Sequence, residues 1–218
     1  KSFHGRTLAT LAATGQEKYQ KPFTPLPKGF SFVPYNDLEA VKSEITDHTA
    51  AIMVEPIQGE GGVNPASLEY LEGLRNLCDK HNILLIFDEV QTGIGRTGSL
   101  FAYQQYNIEP DIFTSAKALG NGVPVSALLA RGDVADAFEP GDHASTFGGN
   151  PLACRAAYAT MSTILEEDII SNVQNVGAYF KEKLIELQEK YDLVSNVKGR
   201  GLMLGVEVDI DPQKIRDK

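Results

Sequence analysis

With 218 residues, 42% of them hydrophobic, the chain can bury one large core, or one core and part of a second. A formal net charge of −9 without a basic stripe makes nucleic acid and anionic membrane poor partners. No apolar run approaches the ~20 residues of a membrane-spanning helix.

Cys78 and Cys154 fall in helix-like segments and read as buried free thiols of a reducing, cytoplasmic compartment. The four histidines stand singly, so no metal site is expected. Lys1–Thr7 has no preceding element, and the helix-like Asp211–Arg216 stops at Lys218 without a cap. The expectation is the middle of a longer protein.

Ala50–Val54 is a short apolar run closed by Glu55-Pro56, which predicts a buried strand. A glycine-rich loop, Gln58–Gly62, follows. Ser67 can cap a helix whose apolar side is Leu68, Leu71, Leu74, Leu77 and Cys78, at helical spacing. That helix leads into a second apolar strand, Ile83–Phe87.

Both strands are apolar throughout rather than alternating. The unit therefore predicts parallel strands, a right-handed crossover and cover on both sheet faces. Pro110–Ser115 and Val125–Ala130 predict further strands. The fold class is α/β, a helix-covered, mostly parallel sheet.

After Asn150-Pro151 comes an alanine-rich helix, Leu152–Glu166. Ile169, Val173, Val176, Phe180, Leu184 and Leu187 mark an amphipathic helix. Gly199–Gly201 reads as a turn and Leu202–Val208 as a strand. The expected division is a large domain over residues 1–166 and the start of a smaller α+β domain over 167–218.

Ligands of open parallel sheets sit beyond the carboxyl ends of the strands. Glu55, Asp88-Glu89 and Lys117 all fall there. A lysine partly desolvated at a strand end stays partly neutral, and a neutral amine can form an imine with an aldehyde. A carboxylate about 4 Å from a pyridinium nitrogen gains roughly 4 kcal/mol at an effective dielectric near 20. It would hold the nitrogen protonated and make the ring an electron sink. The cofactor suggested is pyridoxal 5′-phosphate.

Gly93-Ile94-Gly95-Arg96-Thr97-Gly98 matches the dinucleotide fingerprint and raises a nicotinamide-dependent oxidoreductase as a rival. The context is wrong: five residues separate it from the strand, and no helix opens at Gly98. A flexible loop shaping a pocket edge is the preferred reading. Ser145-Thr146-Phe147-Gly148-Gly149-Asn150-Pro151 is a polar approach to a helix, suited to phosphate.

Taken together, Ile86–Gly93 and Asp111–Lys117 resemble the signature of the class III aminotransferases, pyridoxal-phosphate enzymes of fold type I. The resemblance spans the whole chain. Phe3–Thr7, Glu55–Gly62 and Ser145–Pro151 are similar to the members that act on N2-acetylornithine.

The resemblance implies that Lys117 bonds the cofactor aldehyde and shuttles a proton, and that Asp88 holds the ring nitrogen. It places Glu89 beside the cofactor, Gln91 on the ring hydroxyl, and Val90 and Phe3 on opposite ring faces. Thr146 would bind the phosphate of the neighbouring subunit in a homodimer, with Ser145 near the substrate. Arg6 would take a substrate carboxylate, with Glu60 close by.

The implied reaction moves the terminal amino group of N2-acetylornithine to 2-oxoglutarate, in arginine biosynthesis. Ornithine, succinyl-diaminopimelate or 4-aminobutyrate are alternative donors. The family's phosphate-binding turn would precede Lys1 and its second carboxylate-binding arginine would follow Lys218. The 218 residues alone are therefore expected to be inactive.

Overall fold

Leu84–Asp88 is the central strand on which the site depends. The computed structural model describes residues 1–212. The helices are α1 (Leu8–Ala12), α2 (Glu17–Gln20), α3 (Leu38–Glu44), α4 (Leu68–His81), α5 (Tyr103–Tyr106), α6 (Gly132–Ala135), α7 (Pro151–Glu166) and α8 (Ile169–Lys190). The strands are β1 (Ala51–Val54), β2 (Ile57–Gln58), β3 (Asn64–Pro65), β4 (Leu84–Asp88), β5 (Ile112–Ser115), β6 (Ala127–Ala130), β7 (Val194–Arg200) and β8 (Met203–Val208).

The main sheet has the order β1-β4-β5-β6. β1, β4 and β5 run parallel, and β6 returns antiparallel to β5. The expected strand–helix–strand unit is thus β1-α4-β4. Ser67 Oγ accepts from the Tyr70 amide at 3.1 Å and starts α4. Asn82, in the left-handed region at φ 53°, ends it. Leu71, Leu74 and Cys78 pack with Leu85, Phe87 and Val54 in one core. Leu68, in the first turn of α4, is exposed rather than part of that face.

Cover on both sheet faces does not hold along the whole sheet. Burial on β4 alternates, with Leu85 and Phe87 enclosed and Leu84 and Ile86 only half-buried. Met53, the register partner of Ile86, is 36% exposed, and Leu128 on β6 is 57% exposed. The packing of α4 on β1 and β4 supplies the covering layer on one side.

β7 and β8 form an antiparallel hairpin. α8 packs on β7 and against α7. The turn expected at Gly199–Gly201 begins later, because Gly199 and Arg200 belong to β7 and pair with Leu204 and Met203. Gly199 answers a close approach: a Cβ there would lie 2.0 Å from the Met203 carbonyl oxygen, and its φ is +113°. Cys78 is buried as expected, whereas Cys154 is exposed on α7. The helix-like segment read from Asp211 runs into 213–218, outside the described residues.

Asp111 ties three elements together. Its side chain is 1% exposed, and Oδ2 accepts from the Leu85 amide at 2.6 Å and from Arg75 Nη1 at 3.0 Å. Arg131 Nη1 lies 2.7 Å from Oδ1, an ion pair rather than an aligned hydrogen bond. Removing one partner of a buried pair strands the other charge in low dielectric.

Glu89 does the same for the loop after β4. Its carboxylate accepts from the amides of Ala102 at 3.0 Å and Tyr103 at 2.8 Å, and from Thr92 Oγ1. It is 1% exposed, and all three of these donors belong to the loop that it braces. The Gly93–Gly98 loop that it braces is mostly buried and internally bonded, from Gly95 N to Leu100 O at 3.1 Å and from Thr97 Oγ1 to Thr92 O at 3.2 Å. The fingerprint residues thus lack the helix that a dinucleotide-binding turn opens, and the loop expected to be flexible is buried and internally bonded.

Asp111→Ala should lower the unfolding free energy by about 3 kcal/mol in urea titrations, whereas Arg131→Ala, at the exposed end, should cost under about 1 kcal/mol. Burial raises the pKa of the Glu89 carboxyl, outweighing its donors from Thr92, Ala102 and Tyr103. A raised folded value contributes stability that is full below the ordinary glutamate pKa and lost as pH rises through the folded one. The stability difference between wild type and the non-titrating Glu89→Gln variant should therefore shift against wild type as pH rises from 4 towards neutrality. A shift in the opposite direction would contradict this assignment.

Candidate active site

The carboxyl end of β4 delivers Asp88 against β5, where its register partner is Thr114. Thr114 Oγ1 donates to Asp88 Oδ1 at 3.2 Å. Lys117 follows three residues later, so the parallel register brings the carboxylate and the amine to one end of the sheet.

Asp88 is 6% exposed and fully satisfied. The Val90 amide donates to Oδ1 at 3.0 Å, and His4 Nδ1 lies 2.8 Å from Oδ2. The imidazole thus fixes the side of the carboxylate that the backbone does not reach. His4 went unread in the sequence because a single histidine carries no spacing signal.

Lys117 sits where β5 breaks into a 3-10 turn, Lys117–Gly120, with φ 48°. A non-glycine residue in the left-handed region costs of order 1 kcal/mol or more, and such strain collects at functional sites. The expected desolvation is not met: Lys117 is exposed, and among the described residues its ammonium has no hydrogen bond or ion pair.

The N-terminal segment packs onto the same end of the sheet. The Phe3 amide donates to Glu55 Oε1 at 2.9 Å and the Gly59 amide to Oε2 at 3.0 Å. Burial raises the Glu55 pKa against these two donors, so this carboxyl acts as a clasp between the segment and the loop after β1. Gln91 lies against Gly59, where a Cβ would come within 2.5 Å of its amide. Val90 and Gln91 are both half-buried, beside Asp88 in the chain.

A second cluster forms around Tyr19. Phe3 meets its ring edge-on at a centroid distance of 5.6 Å, and the Arg6 guanidinium lies 4.3 Å from the ring centroid. The Tyr19 hydroxyl donates to Glu60 Oε1 at 2.6 Å. Gln16 Nε2 also donates to Glu60, and Lys18 Nζ approaches it at 3.4 Å. Burial would raise the Glu60 pKa, but these three neighbours together lower it. Tyr19 was not singled out in the sequence, where one tyrosine in a short polar stretch gives no signal.

The structure therefore gathers Phe3, Asp88, Val90, Gln91 and Lys117 near one sheet end, with Arg6 and Glu60 joined through Tyr19. Ser145 and Thr146 are not brought there. They lie on an exposed loop before α7, where Ser145 Oγ accepts from the Gly148 amide at 3.1 Å.

The donor set fits a pyridoxal-type group. A buried carboxylate held by His4, Val90 and Thr114 can accept from a protonated ring nitrogen, and an unpartnered amine is available to an aldehyde.

Comparison with known proteins agrees. The family model "Aminotransferase class-III" matches residues 1–217. The chain is 54% identical over 217 residues to the acetylornithine aminotransferase of Methanocaldococcus jannaschii, covering 100% of this chain and 54% of that protein. It is 49% identical over 208 residues to the succinylornithine transaminase of Photorhabdus laumondii, covering 95% of this chain and 52% of that protein. A crystal structure of the ornithine aminotransferase from Toxoplasma gondii, with pyridoxal phosphate partly occupying its active site, superposes with a TM-score of 0.93 at 40% identity, over 98% of this chain and 52% of that one. The chain thus spans about half the length of the relatives that it matches. On residues 1–217, it belongs to the class III aminotransferases, a family of pyridoxal-phosphate-dependent enzymes.

Proposed function

We propose that the protein transfers the terminal amino group of N2-acetylornithine to 2-oxoglutarate, with pyridoxal phosphate as cofactor. The observation that carries this reading is the Asp88–Thr114 register, which sets a buried carboxylate three residues from the register of an unpartnered lysine. The relatives given above act on ornithine or its acylated forms by name, at 54% identity for the acetylornithine enzyme, 49% for the succinylornithine enzyme and 40% for the ornithine enzyme.

Pyridoxal phosphate, when bound, supplies an aldehyde that takes up the amino group and a ring that accepts the electron pair. Asp88 holds a proton at the ring nitrogen, and His4 and the Val90 amide keep the carboxylate oriented. Lys117 moves the proton at the substrate carbon. Gln91, beside Asp88 in the chain, would hold the ring hydroxyl, and Val90 and Phe3 would supply apolar contact to the ring. Arg6 binds a substrate carboxylate with two parallel hydrogen bonds.

Thr146 binds the phosphate in a second subunit's site, with Ser145 beside it near the substrate, a reading supported by their place on an exposed loop outside the Asp88 cluster. A homodimer follows from that assignment, and the reading places it in the cytoplasm. Residues 167–218 begin a smaller domain, supported by the mutual packing of α8 and β7.

Borohydride reduction of the full-length protein with pyridoxal phosphate should fix the cofactor irreversibly to wild type and leave Lys117→Ala unmodified by mass. Transamination by Lys117→Ala should fall at least ~100-fold. Cofactor fixed to a different lysine, or unchanged turnover, would overturn the proposal. Comparing N2-acetylornithine, N2-succinylornithine and ornithine as donors should rank the acetylated amine first by kcat/KM.

A further inference from the structure

Arg6 and Glu60 carry opposite charges and touch the same side chain, yet they do not pair with each other. Among the described residues Arg6 makes no ion pair; its guanidinium lies over the rings of Tyr19 at 4.3 Å and Phe3 at 5.7 Å. Glu60 is instead taken by the Tyr19 hydroxyl, Gln16 and Lys18. Gln16 stands at the N-cap of α2 and Lys18 and Tyr19 belong to it, and among the described residues no charged side chain but Lys18 pairs with Glu60.

An exposed guanidinium sharing a neighbour with a carboxylate would normally pair with it. A bidentate Arg–carboxylate pair is among the stronger polar contacts available to a protein. An Arg6–Glu60 pair would consume the donors that a substrate carboxylate needs. Tyr19 prevents this by giving the two charges different seats. Its ring face attracts the cation through the quadrupole, and its hydroxyl binds the anion at the far edge. Tyr19, Gln16 and Lys18 lower the Glu60 pKa against the effect of burial, as expected of a carboxylate that has donors without Arg6.

We propose that Tyr19 is a positioning residue that keeps Arg6 unpaired and available to a dicarboxylate by seating Arg6 on its ring and Glu60 on its hydroxyl. This inference rests on the reading of Arg6 as the carboxylate-binding group. It adds that α2, through one tyrosine, sets the affinity of the site for 2-oxo dicarboxylic acids.

The test is calorimetric binding of 2-oxoglutarate to the full-length, cofactor-loaded protein without an amine donor, so that nothing turns over. Arg6→Ala should abolish binding; if it binds as wild type does, both the Arg6 reading and this inference fall. Tyr19→Leu should raise Kd about tenfold, as expected when a charged donor is withdrawn into a competing pair. In Tyr19→Leu/Glu60→Gln the competing charge is gone, and Kd should return to within about threefold of Glu60→Gln alone.

Tyr19→Phe keeps the ring and loses only the hydroxyl, so it covers the case of a poorly folding leucine variant. It should give a smaller rise that Glu60→Gln also reverses. If Arg6→Ala loses binding while both Tyr19 variants bind as wild type, Arg6 keeps its role and this inference alone is wrong. A Kd rise that Glu60→Gln does not reverse would likewise reduce Tyr19 to packing.

Discussion

The parallel pairing of β4 with β5 is the constraint on which the site depends. The register sets Asp88 opposite Thr114 and joins their side chains at 3.2 Å. A slip of one residue would send Asp88 to the opposite sheet face and separate it from Thr114. Two buried carboxylates guard against that slip. Asp111 binds the Leu85 amide at one end of β4, and Glu89 braces the loop at the other. Neither touches the chemistry, yet both fix where Asp88 and Lys117 fall.

Carboxylates in this chain are consequently sorted by what surrounds them. Glu55 and Glu89 are buried, have raised pKa values and serve as clasps for backbone amides. Glu60 lies nearer solvent, is lowered by its neighbours and sits beside the guanidinium of Arg6 through Tyr19. Asp88 alone stands at the strand end with imidazole, amide and hydroxyl around it. The acidic pair Asp88-Glu89 thus divides its labour: one side chain faces the site and its neighbour holds the loop.

Much of the fold could be read from the sequence because its strands are short apolar runs between clear stops. β1, β4 and β5 and the helices α4, α7 and α8 all lie where periodicity and capping put them. β7 was missed because Val194–Arg200 contains serine, asparagine, lysine and glycine, and its pairing depends on β8 rather than on its own propensity. Open sheet face and exposed Cys154 could not be foreseen, since local pattern does not say which faces neighbouring layers reach.

For the site, the motif residues Asp88 and Lys117 were legible through spacing, while His4 and Tyr19 act through contacts 84 and 41 residues away in sequence. The bracing role of Glu89 gave no sequence signal, because its amide donors lie 13 and 14 residues further along the chain.

The central claim is that Asp88 keeps the cofactor's ring nitrogen protonated. Nitrogen-15 NMR of the full-length protein loaded with ring-labelled pyridoxal phosphate measures this directly. The account predicts a protonated nitrogen in wild type and a neutral one in Asp88→Ala. A neutral nitrogen in wild type, or the same protonated signal without Asp88, would contradict it.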